Sequence, residues 1–331
     1  MKSALVTGGA GFIGFHLAKH LHKLGYVVTV IDDFSRGRKD IDLEEFLAKP
    51  NVKIVSADMT KTDFFTKLEN RYDEIYHLAA VNGTKNFYDC PEKVLKVNIL
   101  ALMNLLEWID PTNCGKFLFT SSSEAYAGTI TEFGNSHDYI PTKEDIPLTI
   151  NDVFNPRFSY GGSKLIGEIL TINYMRSKQV PFSVIRYHNI YGPRMGFDHV
   201  IPEFCKRIYE KTDPFPIFGG DETRAFCYVL DGVEATVAVM NSDKTNSQIV
   251  HIGNSKEEIK ISDMASLLLE INNYNVNIDI KNAPEGSVKR RCPNTDKLFA
   301  LTGASARITL VEGLKLTNDW YMKTYAYVLK R

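Results

Sequence analysis

Lys2-Ser3-Ala4-Leu5-Val6-Thr7-Gly8-Gly9-Ala10-Gly11-Phe12-Ile13-Gly14 opens the chain and decides its fold. Ala4, Leu5 and Val6 form a short apolar run suited to a buried strand. Gly8, Gly11 and Gly14 follow at a three-residue spacing, and a helical pattern starts at once with Phe12, Ile13, Leu17, Leu21 and Leu24. Strand, glycine turn and helix start aim main-chain N–H groups and the positive end of a helix dipole at one point, which suits a pyrophosphate. Gly8 permits the tight turn. Gly11 has no Cβ to hold phosphates away, and Gly14 lets helix and strand pack closely. A second apolar run, Val27 to Ile31, ends in Asp32. That acid lies about 20 residues beyond the glycines, where a carboxylate accepts hydrogen bonds from an adenosine ribose. The pattern predicts dinucleotide binding.

The 331 residues suffice for a large core, in one elaborated domain or two. Hydrophobic residues make up 44% and charged residues 24%, an ordinary balance for a globular protein. A net charge of -1 gives no global field that would draw nucleic acid or an anionic membrane. No apolar run is long enough for a bilayer span, and the first residues read as a strand rather than a secretory signal. Cys90, Cys114, Cys205, Cys227 and Cys292 are scattered, without metal-ligand spacing. They read as reduced thiols, and a cytoplasmic protein is expected.

Strand-like and helix-like segments alternate through the first half. The predicted strands are Ala4–Thr7, Val27–Asp32, Val52–Ala57, Glu74–Ala79, Lys116–Ser121 and Phe182–Tyr187. The predicted helices are Gly11–Leu24, Ile41–Ala48, Asp63–Asn70, Cys90–Ile109 and Ser159–Ser177. Such repetition implies an α/β fold, a parallel sheet with helices on both faces and ligands at the carboxyl ends of its strands. Beyond Tyr191, prolines and glycines break the chain into shorter pieces. Short helices are expected at Ile201–Glu210 and Asp231–Met240, and a terminal one at Trp320–Leu329. The expected layout is a cofactor domain over 1–190 and a smaller substrate-binding region over 191–331. Part of the latter, near Asp231, is expected to pack back on the first domain.

Tyr160-Gly161-Gly162-Ser163-Lys164 is the second decisive stretch. Four residues apart on a helix share a face, so the phenol and the ammonium are neighbours. A free tyrosine is a poor base at neutral pH, and a close cation favours its ionised form. Such a pair can take a hydroxyl proton while hydride leaves the same carbon.

The opening Thr7-Gly8-Gly9-Ala10-Gly11-Phe12-Ile13-Gly14 together with Tyr160 and Lys164 resembles the extended short-chain dehydrogenase/reductase family, in particular its nucleotide-sugar epimerases and dehydratases. His77-Leu78-Ala79-Ala80, Ser121-Ser122-Ser123-Glu124-Ala125-Tyr126, Arg186-Tyr187-His188-Asn189-Ile190-Tyr191-Gly192-Pro193-Arg194 and Arg224-Ala225-Phe226 extend the likeness along the chain. The resemblance implies a Rossmann doubly wound sheet and NAD as cofactor. It places Asp32 on the adenosine ribose, with Asp33, Phe34 and Ser35 beside it. Arg36 is a counter-signal, since an arginine there can accommodate the extra phosphate of NADP. Asp58 and Met59 would flank the adenine. Leu78, Ala79 and Ala80 would let the cofactor pass close to the backbone, and Phe12 and Ile13 would meet its phosphates. Lys164 would also bind the nicotinamide ribose, which Tyr187 would adjoin. Asn98 belongs to the same set, although a structural role reads more safely.

For the substrate, the resemblance gives Ser122 to the reacting sugar oxygen, with Ser123 and Glu124 beside it. An acid at Glu124 is more usual in relatives that dehydrate or decarboxylate, where it serves as acid or base. Ser123 stands where sugar dehydratases commonly carry aspartate. Arg224 and the Lys289–Arg291 run, represented by Arg290, would hold a diphosphate, because guanidinium binds phosphate bidentately. Asn189, Arg194 and His199 would contact phosphate or sugar, and Phe218 the nucleobase. No metal is expected.

The expected function is oxidation of a sugar hydroxyl, at C4, on a nucleoside-diphosphate sugar. Epimerisation or dehydration is the leading outcome. Release of the keto sugar and uronate decarboxylation remain open, and a non-enzymatic NAD sensor is a distant alternative. A homodimer is expected by resemblance, paired through the helices near Cys90–Ile109 and Ser159–Ser177.

Overall fold

The computed structural model describes residues 1–37, 39–133, 139–283 and 288–328. In its first half β1 (Ser3–Thr7), α1 (Phe12–Lys23), β2 (Val27–Asp32), α2 (Ile41–Leu47), β3 (Val52–Ser56) and β4 (Tyr72–His77) alternate. There follow α3 (Thr84–Asp89), α4 (Pro91–Trp108), β5 (Cys114–Ser122), α5 (Ala127–Phe133), α6 (Phe158–Lys178) and β6 (Phe182–Tyr187). The second half is more broken. It holds β7 (Ile190–Tyr191), α7 (Val200–Tyr209), β8 (Phe215–Phe218), β9 (Thr223–Ala225), β10 (Cys227–Tyr228) and α8 (Val229–Asn241). It ends with β11 (Gln248–Ile252), β12 (Glu258–Lys260), α9 (Ile261–Ile271), β13 (Ile278–Lys281), β14 (Arg290–Arg291), α10 (Asp296–Thr302) and α11 (Leu310–Val328).

Seven parallel strands form one sheet in the order β11-β6-β5-β4-β1-β2-β3. Helices cover both faces, so the strands read as near-continuous apolar runs. Successive residues then serve opposite cores. Ala4 and Val6 join the core under α1, α7 and α8, and Leu5 joins the one under α4 and α6. The strand order reverses beside β1, so β1 and β4 part company from their crossovers there. A crevice opens at their carboxyl ends, the place where such sheets take ligands.

The six predicted strands and the principal helices of the first half are present, with ends displaced by a few residues. Asp63–Lys67 is a 3-10 turn rather than an α-helix. A short helix, α3, precedes α4 across Cys90 and Pro91, because proline at a helix start cannot continue the previous one. The terminal helix begins at Leu310, ten residues before the expected start at Trp320, and Leu329 lies outside the described residues. The seventh strand, β11, comes from the second half of the chain and pairs with β6. Helix α8 packs on α1, so the second region completes the first rather than standing apart. Smaller sheets, β12-β9-β14 and β13-β8, carry the rest.

Candidate active site

A cleft of about 1680 Å³ runs along the carboxyl ends of the sheet strands and under the second region. Its floor at one end is the glycine turn. Gly8 has a φ of +69°, and a Cβ there would lie 2.8 Å from the Ala79 backbone. A Cβ on Gly14 would lie 2.2 Å from the Gly8 carbonyl oxygen. Both positions therefore require glycine, for conformation in one case and close approach in the other. Gly11 precedes α1, which has no side-chain cap, so its first N–H groups face the cleft. Asp32 accepts from the main-chain N–H groups of Ala10 (2.9 Å) and Phe34 (2.8 Å). Burial raises its pKa, and those hydrogen bonds oppose the rise. A carboxylate so oriented at the end of β2 suits ribose hydroxyls. Asp58 is locked by Thr60 through its N–H (2.9 Å) and hydroxyl (2.8 Å), which hold it below the usual carboxylate range. Asp58, Met59, Leu78, Ala79 and Ala80 line the same wall. This open glycine cradle, with its acid at the proper remove, fits an NAD.

At the other end stands Tyr160, on the first turn of α6. Its ring stacks on Phe87 at 4.9 Å between centroids, which fixes the phenol's direction. A Cβ on Gly161 would meet the Glu124 carbonyl at 2.6 Å, so α6 lies directly against the turn after β5. Lys164 has its ammonium 5.6 Å from the Tyr160 ring centre and donates to the Thr120 carbonyl at 2.8 Å. Burial brings Lys164 down to about 8. Burial also pushes Tyr160 up to about 12, and the Glu124 charge adds to it; hydrogen bonding with Ser122 and Asn82 and the Arg36 charge oppose. The spacing argument expected a cation-lowered phenol. The protein alone holds the phenol neutral, because desolvation outweighs the nearby positive charges.

The hydroxyls at the carboxyl end of β5 divide by face. Thr120 donates to the His77 carbonyl at 2.8 Å and Ser121 to Glu168 at 2.5 Å, so both tie the scaffold. Ser122 accepts from the Glu124 N–H at 3.2 Å and lines the cleft beside Tyr160. Ser123 is buried at its edge. Glu124 receives Arg157 through Nε (3.1 Å) and Nη2 (3.0 Å), and Arg291 at 2.6 Å. Burial alone would raise its pKa; the charges of Arg291 and Arg157 win and hold it at about 2. Glu124 is thus held ionised between two guanidinium groups. Arg224 pairs with Glu222 at 2.8 Å and is brought down to about 10 by burial and then by the Arg291 charge.

Other expected residues fall into two sets. Phe12, Ile13, Asp33, Ser35, Arg36, Tyr187, Asn189, Arg194 and His199 line the cleft. Tyr187 bonds Thr236 at 2.6 Å, Asn189 donates to the Ala225 carbonyl at 3.2 Å, and Arg194 pairs with Asp40 at 2.8 Å. Phe34, Asn98, Phe218 and Arg290 do not line it. Phe34 packs on the core beneath Lys39. Asn98 clasps the Val81 N–H (2.7 Å) and donates to Ser163 (3.0 Å), a structural tie. Phe218 is exposed on β8 between Arg207 and Lys281. Arg290 pairs with Glu258 at 2.8 Å, away from the cleft. Neighbours on a strand point to opposite faces, so Arg291 faces inward where Arg290 was expected. Arg157 and Asn82 were missed altogether. Both sit in loops without a motif, and only α6 and α3 bring them to Tyr160. Among the described residues no group of three or more His, Cys, Asp and Glu side chains could hold a metal ion. Likewise, no described helix is long and apolar enough to cross a membrane.

Residues 4–253 match the family described as "NAD dependent epimerase/dehydratase family". A UDP-N-acetyl-alpha-D-glucosaminuronate decarboxylase of Bacillus cytotoxicus is 31% identical over 97% of this chain and 98% of its own. A UDP-glucuronic acid decarboxylase 1 of Xenopus tropicalis is 30% identical over 97% of this chain and 72% of its own. The solved UDP-glucuronic acid 4-epimerase from Bacillus cereus, in complex with UDP-glucuronic acid and NAD, superposes with a TM-score of 0.86. It is 28% identical, covering 98% of this chain and 100% of that one. The cradle on the glycine turn, the Tyr160–Lys164 pair and these likenesses agree: the chain belongs to the NAD-dependent epimerase/dehydratase family of nucleotide-sugar enzymes and takes NAD as cofactor.

Proposed function

We propose that the protein oxidises C4 of a nucleoside-diphosphate uronic acid and decarboxylates the resulting keto acid. One observation carries this reading. Arg157, Arg224 and Arg291 converge beside Ser122 and Tyr160, where Arg157 and Arg291 pair with Glu124 and Arg224 with Glu222. Three guanidinium groups gathered at one end of the cleft make it a favourable place for a substrate anion. A sugar carboxylate supplies it, in the planar form that guanidinium holds best.

NAD, when bound, accepts the hydride from C4 and returns it where the reaction ends in reduction. Tyr160 takes the C4 hydroxyl proton as the hydride leaves, and Ser122 holds the same oxygen. Lys164 supports the phenolate from below. The C4 carbonyl is then β to the C6 carboxylate. The C5–C6 bond breaks, carbon dioxide departs, and its electron pair forms the C4–C5 enolate. A proton then adds at C5. Arg157 and Arg291 orient the carboxylate before it leaves, and Glu124 fixes both.

A second reading is 4-epimerisation of the same uronate, favoured by the likeness to the Bacillus cereus epimerase. UDP-glucuronate is the first substrate to try, by the names of the relatives. The test is mass spectrometry of its product in deuterated water. Loss of carbon dioxide with one deuterium gained supports decarboxylation. An unlabelled C4 epimer supports the second reading. Turnover of neutral nucleotide hexoses in preference to uronates would sink both.

Further parts of the reading concern assembly and place. Leu95 and Leu100 on α4 and Ile166 and Ile169 on α6 are exposed on two helices that pack together. Such apolar residues support a homodimer joined through that face. Five free cysteines and a nucleotide substrate support a cytoplasmic enzyme.

A further inference from the structure

The short helix α3 stands apart from the strand ends that build most of the site. Gly83, with a φ of +100°, precedes it, and Cys90 and Pro91 cut it off from α4. Lys85, Tyr88 and Asp89 are exposed, and Asn86 is half-buried. Among the described side chains of α3, Phe87 alone is buried, at 7% exposure. Its ring goes to Tyr160. With Val81 after β4 and Val94 and Val97 on α4, the two rings form a small apolar cluster, separate from the two large cores of the sheet. The one ring that α3 buries is thus laid on the reacting side chain.

The ring centroids of Phe87 and Tyr160 are 4.9 Å apart and the planes lie within 13° of parallel. Face therefore meets face. An aromatic face carries the negative side of the ring's quadrupole. A neutral phenol tolerates that neighbour as an offset stack. A phenolate spreads negative charge into its own ring, and the Phe87 face repels it. Burial leaves that repulsion little screened. The remaining groups around Tyr160 act in both directions. Ser122, Asn82 and the Arg36 charge favour ionisation, whereas burial and the Glu124 charge oppose it. Lys164, on the same helix, holds its ammonium 5.6 Å from the ring centre. Phe87 adds a contact on the ring face to these.

We propose that Phe87 is a positioning residue for the base: its face holds the plane of the Tyr160 ring and disfavours the phenolate, so that the phenol stays protonated until positive charge in the cleft opposes the stack. A base held back in this way is the stronger one once formed, because the same repulsion drives it to recover a proton. Direction and basicity then come from one contact. The inference rests on Tyr160 as the base of the proposed reaction, and it is independent of the fate of the keto sugar.

The test uses the NAD-loaded protein in three forms: wild type, Phe87→Leu, and the protein with pentafluorophenylalanine at position 87. Fluorination keeps the ring's shape and reverses the sign of its face. Leucine keeps an apolar side chain and removes the face. Phenolate absorbance of each form, less that of its Tyr160→Phe counterpart, is followed across the alkaline range in which the fold persists. The pH dependence of kcat/KM for UDP-glucuronate is measured alongside. At a fixed pH on the rising limb, phenolate should increase roughly three- to tenfold in the pentafluorophenylalanine protein, a shift of about half to one pH unit, with Phe87→Leu between. The rising limb of kcat/KM should move to lower pH with it. A ring that only fills space gives a different result: lower kcat in Phe87→Leu from a loosened phenol, and both profiles unmoved in the pentafluorophenylalanine protein. That result overturns the proposal, and so does a shift to higher pH. Full turnover in Tyr160→Phe would instead remove Tyr160 as the base, a failure of the functional reading; the absorbance titration still decides whether the face acts on the phenol. Melting curves of all forms separate these outcomes from misfolding.

Discussion

Lys164 keeps its ammonium 5.6 Å from the centre of the Tyr160 ring while donating to the Thr120 carbonyl at 2.8 Å. The lysine is thereby fixed by the end of β5 rather than by the phenol it serves. Burial leaves Tyr160 at about 12 and Lys164 at about 8. In the proposed reaction Tyr160 acts as the phenolate, so kcat/KM should rise with pH across the neutral range. The rise should slacken as Lys164 loses its charge above about 8. Lys164→Met removes that charge and should move the rising limb to higher pH. Tyr160→Phe should lower kcat by roughly 10²- to 10⁴-fold, the usual loss of a general base, with NAD still bound. Steady-state rates against pH and NAD titration of each variant check this.

Glu124 anchors Arg157 and Arg291 with 12% of its side chain exposed. Glu124→Gln leaves two neighbouring cations short of a counter-charge. It should destabilise the protein by roughly 3 kcal/mol, as one-sided removal from a buried pair does. The folded-state pKa of Glu124, about 2, lies below its unfolded value near 4.5. Its contribution is therefore complete above that upper value and declines as pH falls toward the lower one. Denaturant unfolding of wild type should lose stability through this window, and the Glu124→Gln variant should lose less. An equal acid response in both would contradict the anchoring role.

Arg291 and Arg290 provide a paired control. Arg291→Met should raise the KM for a nucleotide uronate by roughly tenfold or more, the worth of one charge-assisted hydrogen bond, and leave neutral nucleotide hexoses less affected. Arg290, paired outside the cleft with Glu258, should tolerate the same change. Surface pairs contribute little, so its melting temperature should scarcely move. Kinetics on charged and neutral sugar nucleotides distinguish the two positions.

Gly14→Ala would set a methyl group 2.2 Å from the Gly8 carbonyl oxygen. The turn and the start of α1 cannot both keep their places. NAD binding should be lost or weakened by more than tenfold, a change above 1.4 kcal/mol. Fluorescence titration with NAD, beside a melting curve, reads the effect.

Ile169 is 52% exposed on α6. In the proposed dimer it is covered by the second copy, and Ile169→Arg should shift the protein to monomer with its fold retained. Light scattering after size exclusion gives the mass. A wild-type monomer would remove this part of the proposal.

The amino-acid sequence by itself determined the sheet's first six strands, the glycine turn, and the placing of Asp32, Tyr160 and Lys164 on one cleft. These are local facts: strand, turn and helix face follow from residues within a few positions of one another. Tertiary structure decided what depends on distant partners. β11 entered the main sheet because β6 presents its edge to it, which no pattern in Gln248–Ile252 announces. Arg157 and Arg291 met at Glu124 across separations of 33 and 167 residues in the chain, and so fixed its charge. The phenol of Tyr160 rose rather than fell because desolvation is a property of the assembled core around it. Spacing along a helix reports which groups are adjacent; only packing reports how much water they have lost.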